Sequence, residues 1–344
     1  MEKGPQIRII GGASTEKKEQ VKKEVEQAFF NHFESLSPQE NDLLEKFEYP
    51  KSEKELALIS FANRETSKLM QEAGVESYDI PADNFHIITS ELYKKAAGDG
   101  GNATTFNTKQ GIVFDAQYFI HNPVYFGAVA LHESLHLKAH FSMEVQEDGD
   151  EINKTPYREG VAVRALQSDG YHGKYHIHFA GLHEGIVAET EKRLLGKLLD
   201  CPELIKEKEW LTSDEAKEIK KNIAAEKNIP EDDIIWVGKN GKNDWESVSY
   251  QPQRDVLNYV CSEIKKEFPD KYQSNYDVYK IFLNAHFTGR LLPIARLVEK
   301  TFGDDSFRLL GNMGTSEENG VLHLESLQKN RSRQIKNKSS HIID

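Results

Sequence analysis

The chemistry most visible in this chain lies in five consecutive residues, His132-Glu133-Ser134-Leu135-His136. They form an H-E-x-x-H pattern in a stretch that reads as a helix. Helical residues four apart share a face, one turn above each other, so both imidazoles reach one metal ion. Glu133 stands beside them, placed to hold a water. This is the arrangement that a zinc-dependent hydrolase needs. With 13 histidines and abundant glutamate in 344 residues, chance can produce such a pattern, so context decides. Asn122-Pro123 reads as an N-cap followed by proline at the first helical position. From Val124 to Phe141 the only breaker is Gly127, and Val129, Leu131, Leu135 and Leu137 supply packing. A helix this apolar is a buried one, not a surface helix with fortuitous histidines.

A third ligand must come from outside that helix. Glu159, 23 residues after His136, lies in a β-patterned segment. Glu184, 48 residues after His136, opens a helix with an apolar stripe of Ile186, Val187, Leu194, Leu195 and Leu198. A carboxylate on a second packed helix is held rigidly, which favours Glu184. Glu159 is the alternative, followed by a three-histidine site using His140, His176, His178 or His183.

The elements that must position these groups follow from periodicity and punctuation. Ser14/Thr15 caps a helix to about Phe33, with Val21, Val25, Phe29 and Phe33 on one stripe. A second helix spans about Glu53 to Ala73 and stops at Gly74. Phe85 to Thr89 reads as a strand. Thr104 to Phe106 and Gly111 to Ala116 read as paired strands, the latter a core strand or an edge that aligns an extended peptide. The acidic run Glu144 to Glu151 reads as a solvated loop. Tyr157 to Leu166 and Tyr171 to Phe179 alternate like a hairpin around Ser168-Asp-Gly170. Leu182 to Leu199 is helical. Asp214 to Lys227 is helical, with Thr212-x-x-Glu215 as a capping box. Ile234 to Val237, with a Lys239-Asn-Gly-Lys242 turn, reads as a small hairpin. Helices follow over about Asp255–Phe268, Tyr276–His286 and Gly289–Phe302, with a short piece near Ser306–Leu310. The tail beyond Gly314 is polar and reads as loosely ordered.

Bulk properties narrow the partners. A formal net charge of −12 argues against nucleic acid. Cys201 and Cys261 lie in no C-x-x-C and read as buried thiols. No apolar run approaches the roughly 20 residues of a membrane span, and Ile9-Ile10 is too short for a signal-peptide core. The expectation is a soluble, cytoplasmic chain with no membrane partner.

His132-Glu133-x-x-His136, then a strand hairpin, then Gly181-Leu-His-Glu184-Gly on a second helix, resembles the gluzincin clan of zinc metallopeptidases, in particular its small minigluzincin type. The resemblance covers about residues 80 to 200 and is specific at the two helices. It implies one zinc ion per chain held by His132, His136 and Glu184, with Glu133 as general base. The metzincin pattern does not fit, because its third histidine falls on Ser142. One departure stands out. Many gluzincins carry an acid four positions after the third ligand to support a zinc-bound histidine; here that position is Ala188, and the acid follows at Glu189.

The expected fold is α+β: a zincin-like core of a small, mostly antiparallel sheet and two metal-bearing helices, with added N- and C-terminal helices. The expected organisation is a helical region at 1–78, the metal-binding core at 79–200, a mainly helical lobe packed on it at 201–312 and a polar tail at 313–344. The expected function is hydrolysis of peptide bonds in a peptide or protein substrate by a zinc-activated water. Oxyanion donors could come from Tyr171, His172, His176, His178 or Tyr250. A non-catalytic, metal-stabilised binding module is the alternative, which the intact Glu133 argues against; an effector protease with a single protein target is a third.

Overall fold

The computed structural model describes residues 3–149, 151–166, 175–239 and 244–340. In chain order its strands and helices are β1 (Ile7–Ile10), α1 (Thr15–Phe30), α2 (His32–Ser35), α3 (Pro38–Phe47), α4 (Glu53–Glu72), β2 (Phe85–Ile88), α5 (Ser90–Ala97), β3 (Ala103–Phe106), β4 (Gly111–Asp115), α6 (Ala116–Phe119), α7 (Pro123–Lys138), β5 (Phe141–Asp148), β6 (Glu151–Glu159), β7 (Ala162–Leu166), β8 (Tyr175–His178) and α8 (Ala180–Leu198). Then come α9 (Ile205–Leu211), α10 (Asp214–Lys227), β9 (Ile234–Val237), β10 (Trp245–Ser247), α11 (Gln251–Glu267), α12 (Asn275–Thr288), α13 (Leu292–Phe302), α14 (Ser306–Gly311) and α15 (Glu317–Ser340). The fold class is α+β. No helix of the described residues is long and apolar enough to cross a membrane.

The chain forms two compact units. One comprises Met1–Gln6, Ala13–Lys138 and Thr190–Ser249; the other comprises Ile7–Gly12, Ala139–Glu189 and Tyr250–Asp344. The continuous helix α8 contributes its first half to the second unit and its remainder to the first.

In the first unit a three-stranded sheet has the order β2-β4-β3. It is mixed: β2 runs parallel to β4, and β3 antiparallel to it. Gly111–Asp115 is therefore the central strand, with β2 and β3 as the outer ones, correcting the idea that it could be an exposed edge. Strand alternation divides β3 between two faces. Thr104 and Phe106 turn to the side where the Tyr93 hydroxyl lies 3.1 Å from Thr104 Oγ1 and where Phe106 packs on Ile88, Tyr93 and Val113. Ala103 and Thr105 turn to the side that carries α7.

Helix α7 begins as expected. The Asn122 side chain accepts from Tyr125 N at 3.0 Å and Pro123 is the first helical residue. The helix is buried almost all round, as its unbroken apolar run requires. It ends at Lys138, short of the Phe141 read from sequence. Its last turn is satisfied from outside: the Tyr78 hydroxyl donates to Leu137 O at 3.1 Å. The fully buried Lys138 ammonium donates to Asn63 O, Thr66 Oγ1 and Ser67 Oγ of α4 at 3.1, 2.9 and 2.9 Å. Burial pushes Lys138 down to about 7.

In the second unit a five-stranded sheet has the order β1-β5-β6-β7-β8, with β1 parallel to β5 and the other pairs antiparallel. The acidic run expected to be a loop is instead most of β5, with Met143 and Val145 buried and Gln146 and Glu147 exposed. The single strand expected over Tyr157–Leu166 is broken by a turn at Gly160-Val161 into β6 and β7. The Ser168–Gly170 turn, Tyr171 and His172 lie outside the described residues, as does most of the turn at 239–242. Where the tail is described it is not loose: Glu317–Ser340 forms α15, anchored by Arg331, whose guanidinium meets Glu263 and Glu267 of α11 at 3.0 and 2.9 Å. Helix α10 is capped by Ser213, not Thr212. Cys201 and Cys261 are buried thiols.

Candidate metal centre

Helix α7 places His132 and His136 one turn apart with their Nε2 atoms 3.3 Å from each other. Two nitrogens bound to one tetrahedral zinc at about 2.05 Å are separated by about 3.3 Å. The two rings thus stand at the separation that a shared metal requires. Both are buried, with 9% and 8% of their surface exposed, so an ion there is drawn out of bulk water.

Behind His132 lies Glu191, from the part of α8 that belongs to the same unit. Its Oε2 is 2.9 Å from His132 Nδ1, and both groups are buried. A carboxylate on Nδ1 fixes the tautomer with Nδ1–H and leaves Nε2 as the ligating nitrogen. The position four after Glu184 is indeed Ala188. Glu189 is engaged elsewhere, accepting from Asn258 Nδ2 at 3.2 Å. The carboxylate that supports the histidine is Glu191, seven residues beyond Glu184 and so on the same helix face two turns on. That spacing was readable in the sequence and was overlooked.

Glu133 is also buried. The Thr105 hydroxyl, from edge strand β3, lies 2.7 Å from its Oε2 and 3.1 Å from its backbone carbonyl oxygen. Nothing in the local sequence marked Thr105, which reaches α7 only through the pairing of β3 with β4.

Glu184 sits near the start of α8 and is half-buried. Among the described residues, the His and Glu groups that could hold a metal ion are His132, His136 and Glu184, and His136, Glu159 and His183. In the latter group Glu159 Oε1 is 3.5 Å from the buried His183 Nε2. No three-histidine group is found among the described residues. His176 and His178 face each other on β8, with ring centroids 4.4 Å apart. His140 follows the end of α7 rather than sharing its face. Burial first, then Arg158 and Arg8, push it down to about 4. Tyr250 caps α11 in a left-handed conformation.

Comparison with protein-family models, with curated proteins and with solved structures finds no match for this chain.

Proposed function

We propose that this chain is a zinc-dependent metallopeptidase with a zincin-like core. Zinc would be held by His132, His136 and Glu184. The observation that carries the reading is the pair of Nε2 atoms 3.3 Å apart, with Glu191 behind one of them. Two surface histidines one turn apart have no need of a buried carboxylate that selects the tautomer. The favoured third ligand rests on the same helix, since Glu184 shares the α8 face that brings Glu191 to His132.

When bound, zinc supplies positive charge that activates water and polarises the scissile carbonyl. Glu133 supplies the base. Its carboxylate takes one proton as the water oxygen attacks the carbonyl carbon, then gives that proton to the amide nitrogen as the C–N bond breaks. The second water proton stays with the new carboxyl group.

Strand β3 would align the substrate. Asp115 N donates to Asn102 O at 2.9 Å, which sets the phase of the antiparallel ladder. With the β3–β4 register, the bonded pairs are Thr104/Val113 and Phe106/Gly111. Ala103 and Thr105 therefore turn their N–H and C=O groups outward. Among the described residues no strand pairs with that edge, so an extended peptide has main-chain partners beside Glu133.

Elemental mass spectrometry of the purified chain tests the reading. About one zinc per chain, kept in Glu133→Gln and lost in Glu184→Ala but not Glu159→Ala, is the expected result. Loss only in Glu159→Ala moves the third ligand to β6. A wild type that takes up no zinc on reconstitution ends the proposal.

A further inference from the structure

Thr105 belongs to two pieces of the molecule at once. Its backbone faces the open edge of β3, and its side chain turns onto α7, where the hydroxyl meets both the carboxylate and the backbone carbonyl of Glu133. We propose that Thr105 is a positioning residue that aims the Glu133 carboxylate and ties it to the strand on which substrate lies. The proposal rests on the metallopeptidase reading.

The argument is one of donors and acceptors. A hydroxyl has one proton, and here it has two acceptors on the same residue, the carboxylate at 2.7 Å and the helix carbonyl at 3.1 Å. Toward the ionised carboxylate the hydroxyl donates, which is the stronger, charge-assisted bond. Once Glu133 holds the proton taken from water, its carboxyl becomes a donor. The Thr105 oxygen can then accept from it while handing its own proton to the carbonyl oxygen 3.1 Å away. The contact survives both states of the base, so the carboxyl need not swing away between taking and giving the proton. A misplacement of about 1 Å in such a group costs on the order of 100-fold in rate. Thr104, one residue earlier, cannot serve, because it faces Tyr93 on the opposite side of the sheet. Serine keeps this amphoteric contact, whereas valine keeps the shape and loses it.

The test uses the full chain with cobalt(II) in place of zinc and acetohydroxamic acid as probe, read by the visible spectrum of the metal. In binding, the acid gives its O–H proton to a neighbouring base, so its affinity reports how well Glu133 is placed. Thr105→Val is expected to weaken binding about tenfold and Thr105→Ser by less than about twofold. Glu133→Gln is expected to lose at least as much as Thr105→Val, and the double variant no more than Glu133→Gln alone. Thr105→Ala repeats the measurement should the valine variant fail to fold. Unchanged affinity in Thr105→Val, or losses that multiply in the double variant, would overturn the positioning role and leave the peptidase reading standing. A wild type that takes up no cobalt overturns the peptidase reading and this inference with it.

Discussion

At the scale of single residues, the distances around His132 give the first prediction. Glu191 contacts the ring on the side away from His136 Nε2, so its removal leaves the ligand atoms in place and loosens the ring that carries one of them. Glu191→Ala should weaken zinc binding by about 10- to 100-fold, measured by competition with a chelator of known affinity. A buried histidine elsewhere sets a pH dependence. His32 Nδ1 lies 3.2 Å from Ala28 O, and its Nε2 lies 2.8 Å from His86 Nε2. Burial first, then His86, lower His32 from 6.5 to about 4. The unfolded chain therefore takes up a proton between about pH 6.5 and 4 that the folded chain refuses. Stability is present above this window and is lost as pH falls through it, by on the order of 2 kcal/mol between pH 7 and 5. Urea midpoints at the two pH values check this, and His32→Gln should flatten the difference.

At the scale of elements, the Gly160-Val161 turn between β6 and β7 depends on having no side chain. Gly160 has φ +54°, and a Cβ there would sit 2.6 Å from His183 Cε1 and 2.9 Å from His286 Nδ1. The left-handed conformation costs a non-glycine residue about 1–2 kcal/mol, and overpacking against buried rings costs about 1–3. Gly160→Ala should therefore lower stability by about 3 kcal/mol in denaturant titration. The same turn shows where sequence reading stopped. Alternation ran from Tyr157 to Leu166 without a strong breaker, and a lone glycine in such a run reads as a bulge as easily as a turn. By contrast α7, α8 and the β3–β4 pair were legible, because an apolar pattern stood out in each and, at α7, the Asn122-Pro123 cap agreed with it. Strand β1 was not: its four residues gain strand character only from β5, more than 130 positions away. Of the candidate site, His132, Glu133 and His136 come from the motif, and Glu184 from the apolar-striped helix that it opens. Thr105 comes from neither, since only tertiary pairing brings it to α7.

At the scale of the whole molecule, two compact units mean that stability is not a single number, and each unit is best judged by what holds it. In the second, Arg331 is buried against Glu263, Glu267 and Thr301 O. Arg331→Met removes one of the two cations on Glu263, leaving Lys266 at 2.6 Å, and takes a donor from Thr301 O; it should cost about 1–3 kcal/mol, visible as earlier loss of helix signal on heating. The proposed zinc site gives a gain that depends on concentration. An ion that binds only the folded form stabilises it by about 2.7 kcal/mol at 100 times its dissociation constant. The buried histidines cannot hold that geometry once α7 unfolds, so the condition is met. Calorimetry with and without zinc should show an upward shift that grows with the logarithm of zinc concentration and vanishes in His136→Ala. Arg331→Met carries none of the proposed ligands, so it should lower the metal-free transition while the zinc-dependent shift persists. A shift that survives in His136→Ala would place the stabilising ion elsewhere in the chain and remove the thermodynamic support for a metal held by α7.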